Sequence, residues 1–455
     1  MSLFDFQGLA YLSLSSNNLS GSFKLNLIQQ LINPSELDLS HNELSSIECY
    51  QPNSSLLFRS NNSLALKLSY NRLKIFPDCL RSQSNLIELD LSNNQIHGEI
   101  PNWIWKLPIL TQLNLSYNHL VTMEESFLNS SSLVYLDLSS NQLQGPLPVL
   151  ASPFSYLDFS GNNFSSTIPA NIGSFLAHAF FFSLSKNKLH GSIPVSICNG
   201  TGLLVLDLSE NSLSGSIPQC LMGMCATLKL LNLGRNHLTG TIFNAFPSLC
   251  SLKLLALDGN QLKGELPKSL ANCTKLEVLD IGNNHIEDIF PCPIPASLGK
   301  LSNLESLDLS SNKLTGKIPL QLADGLIFLS TLNLSFNQLV GKIPMVKQFT
   351  TFPEKSYEGN RGLCGFPLEE KCEPISPPPA FEGTHSNSRN AVNWNFLSVE
   401  LGFIFGFGIV IVPLVFWRRW RIWYYTRIDD ICFKILPQCY FRKEYGRRRV
   451  PKNQG

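Results

Sequence analysis

A chain of 455 residues has room for about three average globular domains, yet only 15% of it is charged, well under the quarter usual for a soluble protein, which argues against an ordinary cytosolic enzyme. The net charge of +1 gives no reason to expect nucleic acid as a partner, but it hides an asymmetry: residues 1–417 carry 24 Lys and Arg against 31 Asp and Glu, and residues 418–455 carry 11 against 3. The 77 Leu and 40 Asn exceed what a generic core asks for, because Asn is ordinarily a turn or surface residue.

One repeat ties these two residue types together. Leu203-Leu-Val-Leu-Asp-Leu-Ser-Glu-Asn211, Leu228-Lys-Leu-Leu-Asn-Leu-Gly-Arg-Asn236 and Leu304-Glu-Ser-Leu-Asp-Leu-Ser-Ser-Asn312 all read LxxLxLxxN. The closing Asn recurs at 17, 42, 71, 94, 118, 141, 162, 187, 211, 236, 260, 284, 312 and 337, mostly 23 to 25 residues apart, the spacing of leucine-rich repeats. In LxL both Leu point to one side of a short strand and the residue between them to the other, so stacked repeats bury a Leu column and leave an open face. The Asn sits where the strand turns away, and its amide can pair backbone groups that would otherwise cost about 1 to 3 kcal/mol each. Most repeats continue as LxGxIP, as in Leu213-Ser-Gly-Ser-Ile-Pro218, where Gly permits a bend and Pro ends the pairing. The predicted fold is an α/β-type repeat solenoid, a leucine-rich-repeat horseshoe or superhelix whose parallel inner sheet runs roughly 65 Å at about 4.8 Å per strand. Such a sheet is an extended binding surface rather than a pocket. This ectodomain of about 14 repeats is expected over residues 1–360.

The outward strand position six residues before the ladder Asn holds Tyr135, Tyr156, Phe181, Val205, Leu230, Leu254 and Val278 in seven successive repeats, against Glu36, Glu88, Gln112, Ser306 and Thr331 elsewhere. A contiguous apolar stripe on an open face suggests a partner site. The competing explanation is that aromatic and β-branched neighbours stabilise a parallel sheet by about 0.2 to 1 kcal/mol per pair. Asp38, Asp90, Asp137, Asp158, Asp207, Asp280 and Asp308 form a second row, but each is the x of LxL and alternates with Asn or Ser, so the row reads as repeat grammar rather than a catalytic pair. The His residues are scattered, and His119, His237 and His285 each follow a ladder Asn. No catalytic residue, metal ligand set or cofactor site is expected, and no kinase motif occurs.

Ten of the twelve Cys and all nine N-x-Ser/Thr sequons precede residue 396, which points to an oxidising, extracellular compartment. The sequons are Asn18, Asn53, Asn61, Asn114, Asn129, Asn163, Asn199, Asn272 and Asn333; Asn114 and Asn333 are simply the middle residue of LNL, where sequons arise by chance. Cys49 and Cys79 lie seven and eight residues after their ladder Asn, and Cys225 and Cys250 both lie fourteen after theirs, so adjacent repeats are expected to bridge each pair. Cys198, Cys220, Cys273 and Cys292 remain, with connectivity open.

Residues 373–395 hold Pro377-Pro-Pro379 and a polar stretch, which reads as an extended juxtamembrane stalk. Residues 396–417 then give 22 mostly apolar positions, long enough for one transmembrane helix, and Arg418, Arg419 and Arg421 place the basic tail 418–455 in the cytosol. Ser398, Gly402 and Gly406 recur every four residues, on one helical face where a second backbone can approach closely. The chain begins Met-Ser-Leu-Phe-Asp inside a first repeat, without a basic n-region or cleavage site.

The LxGxIP extension resembles the plant leucine-rich repeat, and the C-terminal part is similar to plant receptor-like proteins of the Cf disease-resistance type. The residues that carry this are Gln338-Leu-Val-Gly-Lys-Ile-Pro344, Gln348-Phe-Thr-Thr-Phe352 and Ser356-Tyr-Glu-Gly-Asn-Arg-Gly-Leu-Cys-Gly-Phe-Pro-Leu368 with Cys372. The resemblance implies that residues 361–372 cap the last repeat and that Cys364 bonds Cys372. Against that family the chain reads as truncated: the signal peptide and N-terminal cap are missing, and residues 284–312 join directly where relatives carry further repeats and an island. The resemblance further implies a non-enzymatic, single-pass type I receptor of the plasma membrane. It would bind a pathogen- or damage-derived protein or peptide and signal in defence through an adaptor receptor-like kinase, met at Ser398, Gly402 and Gly406, and a co-receptor kinase. The alternatives are a developmental peptide-receptor subunit and a binding protein that inhibits a wall-degrading enzyme.

Overall fold

Each repeat opens with a short strand whose central residue is buried, and fourteen such strands, from Tyr11–Ser13 to Thr331–Asn333, pair in chain order into one sheet. The computed structural model describes residues 9–25, 35–48, 63–123, 132–148, 150, 153–287 and 294–372, all within the first of two units, residues 1–374. Neighbouring strands are parallel and in register, so that Leu136 lies opposite Leu157, Leu157 opposite Phe182 and Phe182 opposite Leu206. All four are fully buried. Alternation along the strand fixes the rest: residues on either side of that Leu project onto the open face.

The Asn ladder closes each turn. Asn118 donates its amide to the Leu115 carbonyl of its own repeat (3.1 Å) and to Leu91 of the preceding one (3.0 Å), while its oxygen accepts the Ile96 N–H (3.0 Å). The same three bonds recur at Asn141, Asn211 and Asn337. The residue before each of these Asn is left-handed, with Tyr117 at φ 54°, Ser140 at 55°, Glu210 at 53° and Phe336 at 53°. That conformation costs roughly 1 to 2 kcal/mol for an L-residue. It persists because it aims the N–H at the next repeat, as Tyr117 N to Ser139 O at 2.9 Å.

Three features go beyond the sequence reading. The LxG segment forms a second series of short parallel strands, such as His190–Ser192, Ser212–Ser216 and His237–Thr239, with Gly191 and Gly215 at φ 78° and 77°. After the Pro the chain runs as short helical turns, for example the 3-10 turns Val195–Asn199 and Lys268–Asn272 and the α-helix Leu320–Gly325. The ladder also has a further rung: Asn360 donates to Leu334 O (2.9 Å) and Tyr357 O (2.8 Å) and accepts Leu339 N–H (3.1 Å). Beyond it the strand Gly362–Cys364 pairs with Gln338–Lys342, and Cys364 is bridged to Cys372.

The expected Cys225–Cys250 pairing is corrected. Cys250 is bridged to Cys273 and Cys198 to Cys220, while Cys225 is a free, buried thiol. Equal spacing from the ladder does not mean equal position. Cys225 ends the α-helix Cys220–Met224, its Sγ donating to Leu221 O, whereas no helix precedes Cys250 in its repeat. Burial pushes the Cys225 thiol up to about 12. Cys79 is disulfide-bonded; Cys49, its expected partner, lies outside the described residues, as do Asn53, Asn61, Asn129, Ser398, Gly402, Gly406 and the whole of 373–455. No helix among the described residues is long and apolar enough to cross a membrane.

Candidate functional site

The open face is built from two outward positions on each strand. At the first, Tyr135, Tyr156, Phe181, Val205, Leu230, Leu254 and Val278 stand in one unbroken register. The structure therefore brings all seven candidate ligand residues into a single column. Six are half-buried, and Val205 is buried. At its N-terminal end the column becomes a ring stack: Tyr135 on Tyr156 with centroids 4.3 Å apart and Tyr156 on Phe181 at 4.4 Å, both pairs within 12° of parallel. Phe180 tilts against Tyr156 at 6.1 Å. The rings cover one another's faces and present their edges to the open side, so a partner would meet a rail of ring edges continued by aliphatic side chains.

Two residues further along each strand runs the second column, where Asp137 faces Asp158, Asp158 faces Ser183 and Ser183 faces Asp207. Each Asp is tied to its own turn. The Oδ1 of Asp137 accepts the Ser139 N–H (2.9 Å) and hydroxyl (2.7 Å), and Asp207 does the same with Ser209. Asn114 and Asn333 occupy the column with the same bonds to Ser116 and Ser335. The row is thus structural grammar in its hydrogen bonds, but not in its charge. Burial, then the charge of Asp158, pushes Asp137 up to about 7, and burial raises Asp158 as well. Burial likewise lifts Asp280 to about 6, and the two tyrosine hydroxyls are raised by burial and then by Asp137. Sequence reasoning passed over this pair; the available signal was the doubled Tyr-Leu-Asp of residues 135–137 and 156–158.

The ends of the face differ from its middle. Near the N-terminal end Lys67 takes the second-column position between Asp38 and Asp90 and pairs with Glu36 at 2.7 Å. Its burial alone would lower it, but the Glu36 hydrogen bond and the charges of Glu88, Glu36 and Asp38 raise it. At the C-terminal end a shallow depression is lined by Ser310, Asn333, Ser335, Phe336, Lys355 and Glu358. Among the described sequons, Asn18, Asn199 and Asn272 are exposed and Asn163 is half-buried. Asn114 and Asn333 stand on the inner sheet, and Asn333 spends its amide on Asp308 (2.9 Å). Among the described residues no group of three or more His, Cys, Asp or Glu could hold a metal ion.

Comparison with known proteins fits this geometry. Leucine-rich-repeat models match residues 65–120, 250–292, 132–152, 154–175, 202–224, 227–249 and 303–324. Receptor like protein 22 of Arabidopsis thaliana is 31% identical over 194 residues, 42% of this chain and 22% of that protein. Receptor-like protein 6 of the same plant is 37% identical over 131 residues, 28% of this chain and 13% of that one. The matched stretches thus span about a fifth or less of these relatives' length. Among solved structures, the leucine-rich-repeat ectodomain of the Arabidopsis thaliana membrane receptor kinase GASSHO1/SCHENGEN3, in complex with CASPARIAN STRIP INTEGRITY FACTOR 2, is 35% identical with a TM-score of 0.71, covering 82% of this chain and 43% of that one. The PEPR1–AtPEP1 structure is 25% identical with a TM-score of 0.52, covering 75% of this chain and 60% of the other.

Proposed function

We propose, from the premise that the chain is a leucine-rich-repeat protein similar to the plant receptor-like proteins, that its inner sheet binds an extracellular protein or peptide ligand. The observation that carries this reading is the unbroken, half-buried apolar column from Tyr135 to Val278 on the open face. An extended ligand laid across consecutive strands would meet one column residue every 4.8 Å or so. The similarity to an ectodomain solved with CASPARIAN STRIP INTEGRITY FACTOR 2 supports the class of partner. Such binding needs no chemistry from the chain, and signalling is borrowed: the apolar run 396–417 anchors it in the plasma membrane with the repeats outside. Ser398, Gly402 and Gly406 form the seam for an adaptor kinase, and a co-receptor kinase completes a defence complex. Glycans sit on the exposed Asn18, Asn199 and Asn272, away from the inner columns. Replacing Tyr156 and Phe181 by Ser should abolish ligand capture while the chain still reaches the cell surface. Loss of surface delivery in both variants would make the column structural. Replacing Gly402 and Gly406 by Leu should reduce co-precipitation of the adaptor kinase at unchanged surface level.

A further inference from the structure

The middle of the ligand face holds an arrangement that repeat grammar does not require. Asp137 and Asp158 are directly opposed on adjacent parallel strands and are both buried. Each lies two residues from a stacked ring, Tyr135 and Tyr156, on the same face. Among the described residues, the groups around them supply no positive charge. The strand Gln112–Asn114 offers the neutral Asn114, the strand Leu86–Asp90 beyond it adds Asp90, the strand Phe181–Ser183 offers Ser183, and the strand after that adds Asp207. Lys67 is three strands away and pairs with Glu36. Lys186 lies in the turn column, directed to Glu210 at 3.9 Å. Two buried carboxylates a strand spacing apart without a counter-cation cannot both ionise at low cost.

We propose that the ligand face carries a proton gate: the Asp137–Asp158 pair holds a proton under mildly acidic conditions, which lowers the charge it presents to an extended apolar ligand segment poor in Asp and Glu, and turns such a segment away when both carboxyls ionise. The inference deepens the ligand-binding reading above and rests on it. The occupant follows from the two columns together: the apolar column from Tyr135 to Val278 beside the pair takes an apolar segment, and an acidic one would face Asp90, Asp137, Asp158 and Asp207 in one column. An uncharged one adds no repulsion to the protonated pair and leaves ionised carboxyls desolvated and unpaired. The raised Asp137 and Asp158 accord with this geometry.

The test compares the 455-residue chain with its Asp137→Asn/Asp158→Asn variant, a change the fold already tolerates at Asn114 and Asn333 with the same serine bonds. First, without any ligand, the melting temperature of the parent should fall between pH 5.5 and 8, while the variant, in which only Asp280 of the raised carboxyls in the column remains, falls less steeply and melts about 2 °C or more above the parent at pH 8. Equal pH slopes in both overturn the gate. If the double variant does not fold, the single Asp137→Asn chain takes its place: the protonated-carboxyl infrared band that the parent shows at pH 6 should weaken, Asp280 supplying what remains, and an unchanged band overturns the gate. Second, a displayed random-peptide library bound at pH 5.5 should yield apolar peptides poor in Asp and Glu that the parent releases at pH 8 and the variant retains. Equal retention overturns the gate. Failure of either chain to hold any peptide overturns the ligand-binding reading, and the melting comparison then still decides the proton pair.

Discussion

Two stretches of the inner sheet use the same carboxyl column in opposite ways. In the N-terminal stretch, Lys67 stands between Asp38 and Asp90 and takes Glu36 at 2.7 Å, so four carboxyls share one cation. In the middle stretch, Asn114 takes the position that Lys67 takes there, and the adjoining Asp137 is pushed up to about 7. The local sequences are nearly the same, Lys67-Leu-Ser-Tyr-Asn71 against Asn114-Leu-Ser-Tyr-Asn118. The column position that holds Lys67 beside Asp38 and Asp90 in one stretch thus holds the neutral Asn114 beside Asp137 in the other. The hydrogen-bond frame beneath is common to both.

The largest expected effect tests that common frame. Asn94→Ala in the first stretch and Asn141→Ala in the second each strip three donated bonds and one accepted bond, and each should cost about 3 kcal/mol in denaturant unfolding. Unequal losses would mean that the stretches differ below the face as well as on it. Next comes the transplant Asn114→Lys, which places a cation beside Asp137 as Lys67 stands beside Asp38. It should bring the Asp137 carboxyl down and flatten the dependence of melting temperature on pH. The sign follows from linkage. Folded Asp137 keeps a proton that the unfolded chain releases near pH 3.9, so this group's contribution to stability is full below that pH and is lost as pH rises toward about 7, with no further loss from it above. An unchanged profile in the transplant would show that burial, not the missing cation, governs the pair.

A smaller effect is expected for Lys67→Met, which should cost about 1 kcal/mol at pH 7, given the partial exposure of its ion pair with Glu36. As the pH falls and the burial-raised Glu88 takes up a proton, the cost should shrink. Smallest is Tyr156→Phe, because the Tyr156 hydroxyl lies 3.5 Å from Asp158, too long for a strong bond. Its unfolding free energy should stay within ~0.5 kcal/mol of the parent. A larger loss would make the hydroxyl part of the pair's support.

The sequence by itself determined the repeat, the in-register strands, the ladder Asn residues and the alignment of Tyr135 through Val278. All of these follow from a period that local side-chain chemistry imposes on every turn, so one repeat read correctly reads them all. Asn360 escaped because Tyr357-Glu-Gly-Asn360 lacks the LxL that announces a rung, although the same backbone bonds form there. The cysteine pairing was decided in three dimensions: a short helix in one repeat and none in the next turned Cys225 inward and left Cys250 to reach Cys273. Tertiary structure alone also decided which members of the Asp row are set apart. Burial is a property of how neighbouring repeats cover one another, and Asp137 and Asp158, two residues along from the stacked Tyr135 and Tyr156, are buried. The letters of the repeat name a carboxyl at some turns, and only its surroundings set the charge it carries.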